Sequence, residues 1–256
     1  MTGPAAIVTG AGAGIGQAVA RRLARDQLHV ICADIDEAAA ERTAAGLRAD
    51  GLLATACQAD VSVAADCSRT AALAAGAGQL RVLCNVAGIS PFGTGLARVS
   101  EDVWDRVMAV NVKSVFLMSR ACLPQLTAAD GSGVVINMAS VHAYAAMPES
   151  APYAASKGAI VALTRQLAVD LASAGIRVVA VAPGAVDTPA SQAGAAALGQ
   201  ELTELFPTGR DRLGWLGDPC DVAEAVAWLA SERARFVNGA TLVADGGLLA
   251  GLRGPG

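Results

Sequence analysis

Short apolar runs alternate with longer alanine-rich stretches along most of the chain. Such short runs predict strands covered on both faces, and the longer stretches between them predict helices. Strands are predicted at residues 5–9, 28–33, 52–58, 81–86, 134–138, 176–182 and 240–244, and helices at residues 14–26, 36–49, 64–75, 101–127, 152–173 and 219–230. Strands that alternate with helices in this way favour an α/β fold with a mainly parallel sheet.

The ends of some predicted elements carry local signals. Ser100 is placed to cap the helix that starts at residue 101, and Asp218 is placed to cap the last helix, with Pro219 in its first turn. The pattern is least regular at residues 184–217, where helical pieces lie among small residues, and a long insertion after a parallel strand is typical of a lid. No segment has the composition of a linker. Residues 1–256 are therefore predicted to form a single doubly wound domain.

Composition narrows the classes of function. Hydrophobic residues make up 54% of the 256 residues and charged residues 16%, which is enough for a sizeable core. The chain has 19 basic and 23 acidic residues, a net charge of −4, which disfavours nucleic acid as a partner. No apolar run approaches the roughly 18 residues of a membrane-spanning helix, so no membrane contact is expected. The first residues lack the basic segment of a secretory signal.

Cysteine and histidine usage adds to this interpretation. The six cysteines are scattered and include no CxxC pair. The two histidines, His29 and His142, have no histidine or cysteine neighbours at ligand spacing. The sequence therefore predicts a cytoplasmic protein with reduced cysteines and no metal site.

A cluster of glycines follows the first predicted strand and opens the first helix. Residues 9–16 read TGAGAGIG, which fits the spacing GxxxGxG through Gly10, Gly14 and Gly16 rather than the strict GxGxxG pattern. A tight turn at this point brings backbone N–H groups close to a pyrophosphate at the positive end of a helix. In the context of a strand followed by a helix, the cluster predicts a dinucleotide site.

Asp34 ends the second predicted strand, 20 residues after Gly14. A carboxylate there accepts hydrogen bonds from the adenosine ribose and repels a 2′-phosphate, and its neighbours Ala33 and Ile35 supply no basic group. NAD is therefore favoured over NADP. The alternative is that Asp34 caps the next helix, a role for which Asp36 competes.

Three side chains suggest proton-transfer chemistry. Tyr153 and Lys157 lie four residues apart on a predicted helix and therefore share one face. An ammonium beside a phenol favours the phenolate, so we expect Lys157 to lower the pKa of Tyr153 and make it an acid or base near neutral pH. Taken alone, the pair could equally be an exposed helical pair. Ser140 follows the strand at 134–138, where an open α/β sheet places its ligands.

Six motifs occur in a fixed order along the chain: TGxxxGIG at 9–16, NVAG at 85–88, Asn111, Ser140, YAASK at 153–157 and PG at 183–184. With these six motifs in this order, the chain resembles members of the short-chain dehydrogenase/reductase family over essentially its whole length. The resemblance implies a Rossmann-type domain with a seven-stranded parallel sheet. It also implies that Tyr153 is the general acid/base, that Ser140 orients the substrate oxygen, and that Lys157 tunes Tyr153 and binds the nicotinamide ribose. Asn111 would bulge its helix and hold the water through which protons reach Lys157.

The same resemblance implies contacts to an NAD cofactor along most of the chain. The implied residues are Ile15 at the phosphates, Asp60 and Val61 at the adenine, Asn85, Ala87 and Gly88 beneath the cofactor, and Val186 and Thr188 at the nicotinamide amide, in addition to Gly10, Gly14, Gly16, Asp34, Tyr153, Lys157, Pro183 and Gly184. One departure is Val86, which replaces the second asparagine of the common NNAG motif. That replacement puts only local hydrogen bonding in doubt.

The substrate pocket is less well defined by the sequence. Candidate segments are residues 90–92, 141–150 and 185–216, with the side chains Phe92, His142, Met147, Phe206 and Trp215. His142 follows Ser140 by two residues, and it could hydrogen-bond a polar substrate or simply lie in a loop. No Arg or Lys occurs between residues 134 and 156, which disfavours an anionic substrate, although Arg210 and Arg212 could approach from the lid.

These observations predict an NAD-dependent oxidoreductase that interconverts a secondary alcohol and a ketone. An NAD-dependent sugar or polyol dehydrogenase is the alternative on the same scaffold, and a non-catalytic nucleotide-sensing protein is a third possibility. The GxSxG motif of serine hydrolases and the GxxxxGK[ST] motif of P-loop NTPases are absent from the sequence. The resemblance further implies a homotetramer whose partner molecule is a small alcohol or ketone.

Overall fold

Seven parallel strands form one twisted sheet in the computed structural model, which describes residues 3–91, 95–129, 131–211 and 213–251. The spatial order of the strands is β3-β2-β1-β4-β5-β6-β7. The strands are β1 (Pro4–Thr9), β2 (His29–Asp34), β3 (Ala54–Gln58), β4 (Gln79–Asn85), β5 (Val134–Met138), β6 (Arg177–Pro183) and β7 (Thr241–Ala244). The predicted fold class is therefore confirmed, and each predicted strand lies within a few residues of an observed one.

Helices cover both faces of the sheet. They are α1 (Gly14–Arg25), α2 (Glu37–Ala49), α3 (Ala64–Ala77), α4 (Glu101–Met108), α5 (Ser114–Thr127), α6 (Ala151–Asp170), α7 (Pro189–Ala197), α8 (Leu202–Leu205) and α9 (Pro219–Ala230). Helices α1, α2 and α9 pack with one face of the central strands, and α3 and α5 with the other. The central strands are apolar throughout because neither of their faces meets water.

The predicted caps are present. The Ser100 hydroxyl accepts a hydrogen bond from the Val103 N–H at 3.3 Å, and the Asp218 carboxylate accepts one from the Cys220 N–H at 2.7 Å. Asp36, rather than Asp34, caps α2. These side chains satisfy N–H groups that have no partner within the first turn of a helix.

The helical run at residues 101–127 is interrupted by a single π turn at Ala109–Lys113. Asn111 lies in this turn and is buried, so the helix bulges at the residue where the family resemblance implied a bulge. By length and composition this run could cross a membrane, but half of its most apolar window is buried inside the protein. It packs against α3, α6 and β4, as a core helix does.

The strand order reverses at β1, which has β2 on one side and β4 on the other. The connection that leaves the carboxyl end of β1 runs towards β2, and the connection that leaves β4 runs towards β5, so a crevice opens between β1 and β4. Residues 184–217 follow β6 above this crevice and contain α7 and α8, in the region predicted as a lid. Five cysteines are buried and Cys220 is exposed, and the structure shows all six as free thiols.

Candidate active site

A cleft of about 420 Å³ runs across the carboxyl ends of the strands. The predicted cofactor residues Gly10, Gly14, Ile15, Gly16, Asp34, Asp60, Val61, Ala87, Gly88, Tyr153, Lys157, Pro183, Gly184, Val186 and Thr188 all line it. From the loop after β3 to the loop after β5 the cleft crosses four strand spacings, or roughly 19 Å. The cleft is therefore elongated and joins the glycine-rich turn to the predicted proton-transfer residues.

Glycine is required at two positions of the turn that starts the cleft. Gly10 has φ +67°, and a Cβ on it would lie 2.9 Å from the Cα of Ala87 on the neighbouring loop. A Cβ on Gly16 would run into the carbonyl group of Gly10. The turn is therefore as tight as the backbone allows, and the N-terminus of α1 faces the cleft, where it favours a bound phosphate.

Asp34 is held in place by two backbone N–H groups. One carboxylate oxygen accepts from the Gly12 N–H at 2.8 Å and the other from the Asp36 N–H at 3.0 Å. The residue lines the cleft at the end of β2. A carboxylate fixed in this position retains free lone pairs for the hydroxyl groups of a ribose. The Gly12 contact is a site interaction that the sequence analysis did not identify.

The end of the cleft beyond Asp34 contains an ion pair that the sequence analysis also missed. Asp60, in the loop after β3, accepts from Arg106 of α4 at 3.3 Å and from the N–H and hydroxyl groups of Ser62 at 2.9 and 2.6 Å. Burial alone would raise the pKa of Asp60, but the Ser62 hydrogen bonds and then the Arg106 charge bring it below its usual value. No spacing rule relates Asp60 to an arginine 46 residues further on, so only the fold could reveal this pair.

The floor of the cleft at the end of β4 depends on buried polar groups. The Thr9 hydroxyl accepts from the Val86 and Ala87 N–H groups at 3.0 and 3.1 Å. Asn85 was predicted to lie beneath the cofactor, but it does not line the cleft, because its side chain turns inward and donates to Asn137 at 2.9 Å. Val86 lines the cleft in the position of the missing asparagine.

Lys157 is almost completely buried in α6, with 4% of its surface exposed. Its ammonium donates to the carbonyl oxygen of Met138 at 2.7 Å, at the end of β5. It lies 5.4 Å from the centre of the Tyr153 ring, one helical turn away on the same face. Burial lowers the pKa of Lys157 to about 8, because a charged group loses its hydration inside the protein. The alternative that the two form an exposed helical pair is therefore wrong.

The prediction that Lys157 lowers the pKa of Tyr153 is not supported by the site. Burial raises the pKa of the Tyr153 phenol above its usual value, and only the hydrogen bond with Ser140 acts in the opposite direction. The Lys157 ammonium is not among the groups that shift this pKa. Ser140 lies just after β5 and lines the cleft, and its hydrogen bond with Tyr153 partly offsets the rise in the Tyr153 pKa that burial causes.

Asn111 lies behind the cleft rather than on its surface. Its amide nitrogen donates to the Ile89 carbonyl at 3.0 Å and to the Ser156 hydroxyl at 2.9 Å, and its oxygen accepts from the Ile89 N–H at 2.8 Å. These bonds join the π turn to the loop after β4 and to α6. The predicted water-mediated link from Asn111 to Lys157 stays a prediction.

The predicted substrate residues divide into two groups. Ser140 and Tyr153 line the cleft, and the His142 ring packs edge-on to the Tyr153 ring with centroids 5.3 Å apart. Burial, and then the charge of Lys157, lowers the pKa of His142. Met147 is 40% exposed and does not line the cleft.

The other pocket candidates lie elsewhere. Trp215 and Arg210 line a second cavity, of about 320 Å³, where Arg210 pairs with Asp221 at 3.6 Å. Phe206 does not line the main cleft. Phe92 and Arg212 lie outside the described residues. The predicted apolar wall of Met147, Phe206 and Trp215 is therefore not part of the cleft.

Comparisons with known proteins agree with this geometry. Residues 10–249 match a family model described as "Enoyl-(Acyl carrier protein) reductase". The chain is 41% identical over 254 residues to 2-(S)-hydroxypropyl-CoM dehydrogenase 3 of Xanthobacter autotrophicus, covering 95% of both chains. It is 38% identical over 252 residues to human (3R)-3-hydroxyacyl-CoA dehydrogenase, covering 95% of this chain and 94% of the relative.

A solved structure resembles the fold over nearly its full length. The 3-ketoacyl-(acyl-carrier-protein) reductase of Brucella melitensis, complexed with NADH, superposes with a TM-score of 0.84 at 37% identity and covers 96% of this chain and 98% of its own. Matches of this extent and identity show that the chain belongs to the short-chain dehydrogenase/reductase family of oxidoreductases.

Proposed function

We propose that this protein is an NAD(H)-dependent oxidoreductase that interconverts a secondary alcohol and a ketone, with Tyr153 as the general acid/base. The observation that carries the proposal is the convergence of Ser140, Tyr153 and Lys157 at one end of a cleft whose other end is lined by a tight glycine turn and Asp34. The first group suits proton transfer and the second suits a dinucleotide.

Tyr153 is the group able to exchange a proton with the substrate oxygen. In the reductive direction its phenol donates its proton to the ketone oxygen, and in the oxidative direction the phenolate accepts the proton of the alcohol. Ser140 is hydrogen-bonded to Tyr153 and holds the same substrate oxygen, which stabilises the negative charge that develops there. The nicotinamide, when bound, supplies or accepts the hydride at the carbon atom.

Lys157 lies where it can bind the sugar next to the nicotinamide. Gly88 lines the cleft beside Asn111 and the Lys157 ammonium, and a Cβ on Gly88 would lie 3.6 Å from that nitrogen, so a ligand held over Gly88 comes close to the ammonium. An ammonium with a pKa of about 8 can also release and regain a proton near neutral pH. Lys157 is thus suited to relay the proton that Tyr153 takes or gives.

Asp34 supports NAD over NADP. Its carboxylate is fixed by the Gly12 and Asp36 N–H groups and faces the position of the adenosine ribose. A 2′-phosphate at that position would meet a fixed negative charge. Among the described residues that line this part of the cleft, the basic side chain that could bind a 2′-phosphate is Arg106, and it is already paired with Asp60.

The relatives narrow the substrate class. A hydroxypropyl-CoM dehydrogenase, a 3-hydroxyacyl-CoA dehydrogenase and a 3-ketoacyl-(acyl-carrier-protein) reductase are named for hydroxyl or keto groups on a chain attached to CoM, CoA or an acyl carrier protein. We propose that this protein acts on a secondary alcohol or ketone of that kind.

The experiment follows nicotinamide absorbance at 340 nm during turnover. Purified protein is assayed in both directions against ketoacyl thioesters, thioether alcohols, simple secondary alcohols and polyols. Tyr153→Phe should lower kcat by about 100-fold or more, because it removes the transferable proton. Tyr144→Phe is the matched control, since Tyr144 is 52% exposed and does not line the cleft. Turnover that survives in Tyr153→Phe would refute the assigned mechanism, and a preference for polyols would refute the substrate class.

The proposal includes a cytoplasmic homotetramer. Exposed aromatic side chains on the helical surface support self-association: Trp104 on α4 is 40% exposed, and Phe116 on α5 is 45% exposed with the Arg120 guanidinium 4.8 Å from its ring. Light scattering after size-exclusion chromatography distinguishes a tetramer from the monomer mass of 25.5 kDa.

A further inference from the structure

We propose that Arg106 is a positioning residue that holds the Asp60 carboxylate ready for the 6-amino group of the cofactor adenine. The proposal rests on the proposed NAD(H) site and adds to it a residue that helps the enzyme distinguish adenine from a base with a 6-oxo group in place of the 6-amino group. Asp34 ends β2, and Asp60 follows β3, the next strand along the sheet. Asp60 is therefore one strand further than Asp34 from the end of the cleft that contains Tyr153. A dinucleotide with its ribose at Asp34 and its nicotinamide near Tyr153 therefore has its base at Asp60.

The loop that carries Asp60 is fixed from two sides. The backbone N–H group of Asp60 donates to the carboxylate of Asp66, in the first turn of α3, at 2.9 Å. From the other side, Arg106 of α4 reaches across the loop and donates to the Ser62 hydroxyl at 3.0 Å and to Asp60 at 3.3 Å. Arg106 thus links two elements that lie 46 residues apart in the chain.

Counting acceptor positions shows what remains for a ligand. A carboxylate has about four lone-pair positions, two on each oxygen. In Asp60, Oδ1 accepts from both the N–H and the hydroxyl of Ser62, and Oδ2 accepts from Arg106. One position on Oδ2 is left, and Asp60 lines the cleft. Neutral adenine linked to ribose carries N–H donors at one place, its 6-amino group, so this remaining acceptor matches adenine.

Arg106 also changes the charge that a dinucleotide meets. Asp34 and Asp60 place two carboxylates at the adenosine end of the cleft, and the pyrophosphate of the cofactor is itself negative. Arg106 neutralises one of these charges while leaving Asp60 able to accept a hydrogen bond. Its side chain is 47% exposed, so the pair with Asp60 is screened in the protein alone and strengthens as a base covers it.

The test compares Kd values for NADH and for its hypoxanthine analogue, in which a 6-oxo group replaces the amine and repels a carboxylate. Binding is followed by nicotinamide fluorescence and requires no substrate. Wild-type protein should prefer NADH by about tenfold, as expected for a hydrogen bond to a charged group. Arg106→Met should weaken NADH binding about three- to tenfold and reduce the preference for NADH to threefold or less. Arg106→Lys, which keeps the charge but not the forked geometry, should lie between the two.

Arg48→Met is the matched control, because Arg48 is 43% exposed, forms an ion pair with Glu41 and does not line the cleft. It should leave both Kd values unchanged. If Arg106→Met weakens both cofactors equally, Arg106 is merely structural and the proposal is wrong. A wild-type protein without preference for NADH overturns it as well. A wild-type protein that binds no NADH refutes the cofactor proposal itself, and this one with it, whereas absent turnover with intact binding refutes only the substrate class.

Discussion

The buried ammonium of Lys157 should make the folded protein less stable than it would be with a neutral side chain. Lys157 is 4% exposed, and its ammonium donates a hydrogen bond to the Met138 carbonyl and lies 5.4 Å from the centre of the Tyr153 ring. Lys157→Met replaces it with a side chain of similar length and no charge. We predict that this variant loses catalytic activity and yet unfolds at a higher urea concentration than wild type at pH 7.

The magnitude follows from the pKa. Burial lowers the pKa of Lys157 from 10.5 to about 8. Since one pKa unit corresponds to about 1.4 kcal/mol, the charged form costs the folded protein about 3 kcal/mol below pH 8. Leaving the Met138 carbonyl without its donor costs about 1 kcal/mol in the variant. The net expectation at pH 7 is a free energy of unfolding higher by about 2 kcal/mol, and a Tm higher by about 4 °C.

The pH dependence provides the sharper test. Between pH 8 and pH 10.5 the unfolded chain binds more protons at this lysine than the folded chain does, so wild-type stability rises with pH in that window. The variant has no such group, and its advantage should shrink as the pH rises and disappear near pH 10. The difference between the two proteins removes the contribution of all other titrating groups.

The assay is urea unfolding of both proteins at pH 7 and pH 10, at equal protein concentration and without added cofactor. Lys113→Met is the matched control, because Lys113 is exposed in the π turn and should give no stabilisation at either pH. A Lys157→Met variant that is no more stable than wild type at pH 7 would refute the reasoning. So would an equal stability difference at the two pH values.

Three further outcomes follow from the same structure. Ser140→Ala should lower kcat about 100-fold and move the rising limb of alcohol oxidation to higher pH, because it removes the hydrogen bond that lowers the pKa of Tyr153; an unshifted pH–rate profile would contradict this. Gly16→Ala should weaken NADH binding at least tenfold, measured by fluorescence titration, because the new methyl group meets the Gly10 carbonyl and displaces the phosphate turn. Thr9→Val should lower the free energy of unfolding by about 2 kcal/mol in urea, since two N–H groups just past β4 lose their acceptor; unchanged stability would show that another group replaces it.

Much of the fold was predictable because its causes are local. Apolar runs of strand length and the signals at helix starts lie within a few residues of each other, and the observed strands and caps agree with them. The spatial order of the strands does not have a local cause. That β1 lies between β2 and β4 follows from how the whole chain packs, and neither the residue pattern nor the family resemblance supplied this order in advance.

The candidate site was predictable where chemistry depends on local spacing. Gly10, Gly14 and Gly16 form a turn because of their own backbone geometry, and Tyr153 and Lys157 share a face because four residues make about one helical turn. The place of Ser140 just after a predicted strand was also a local signal, and the structure brings it into the cleft. The resemblance added the bulge at Asn111, which lies behind the cleft.

The sequence by itself determined the α/β class, the phosphate turn and the tyrosine–lysine pair, since sterics and periodicity act over a few neighbouring residues. Only the tertiary structure decided that Arg106 reaches Asp60, that Asn85 turns away from the cleft, and that burial raises the pKa of Tyr153. These properties depend on which groups lie nearby in space and on how much water remains around them. Both are set by packing between elements that are far apart in the chain.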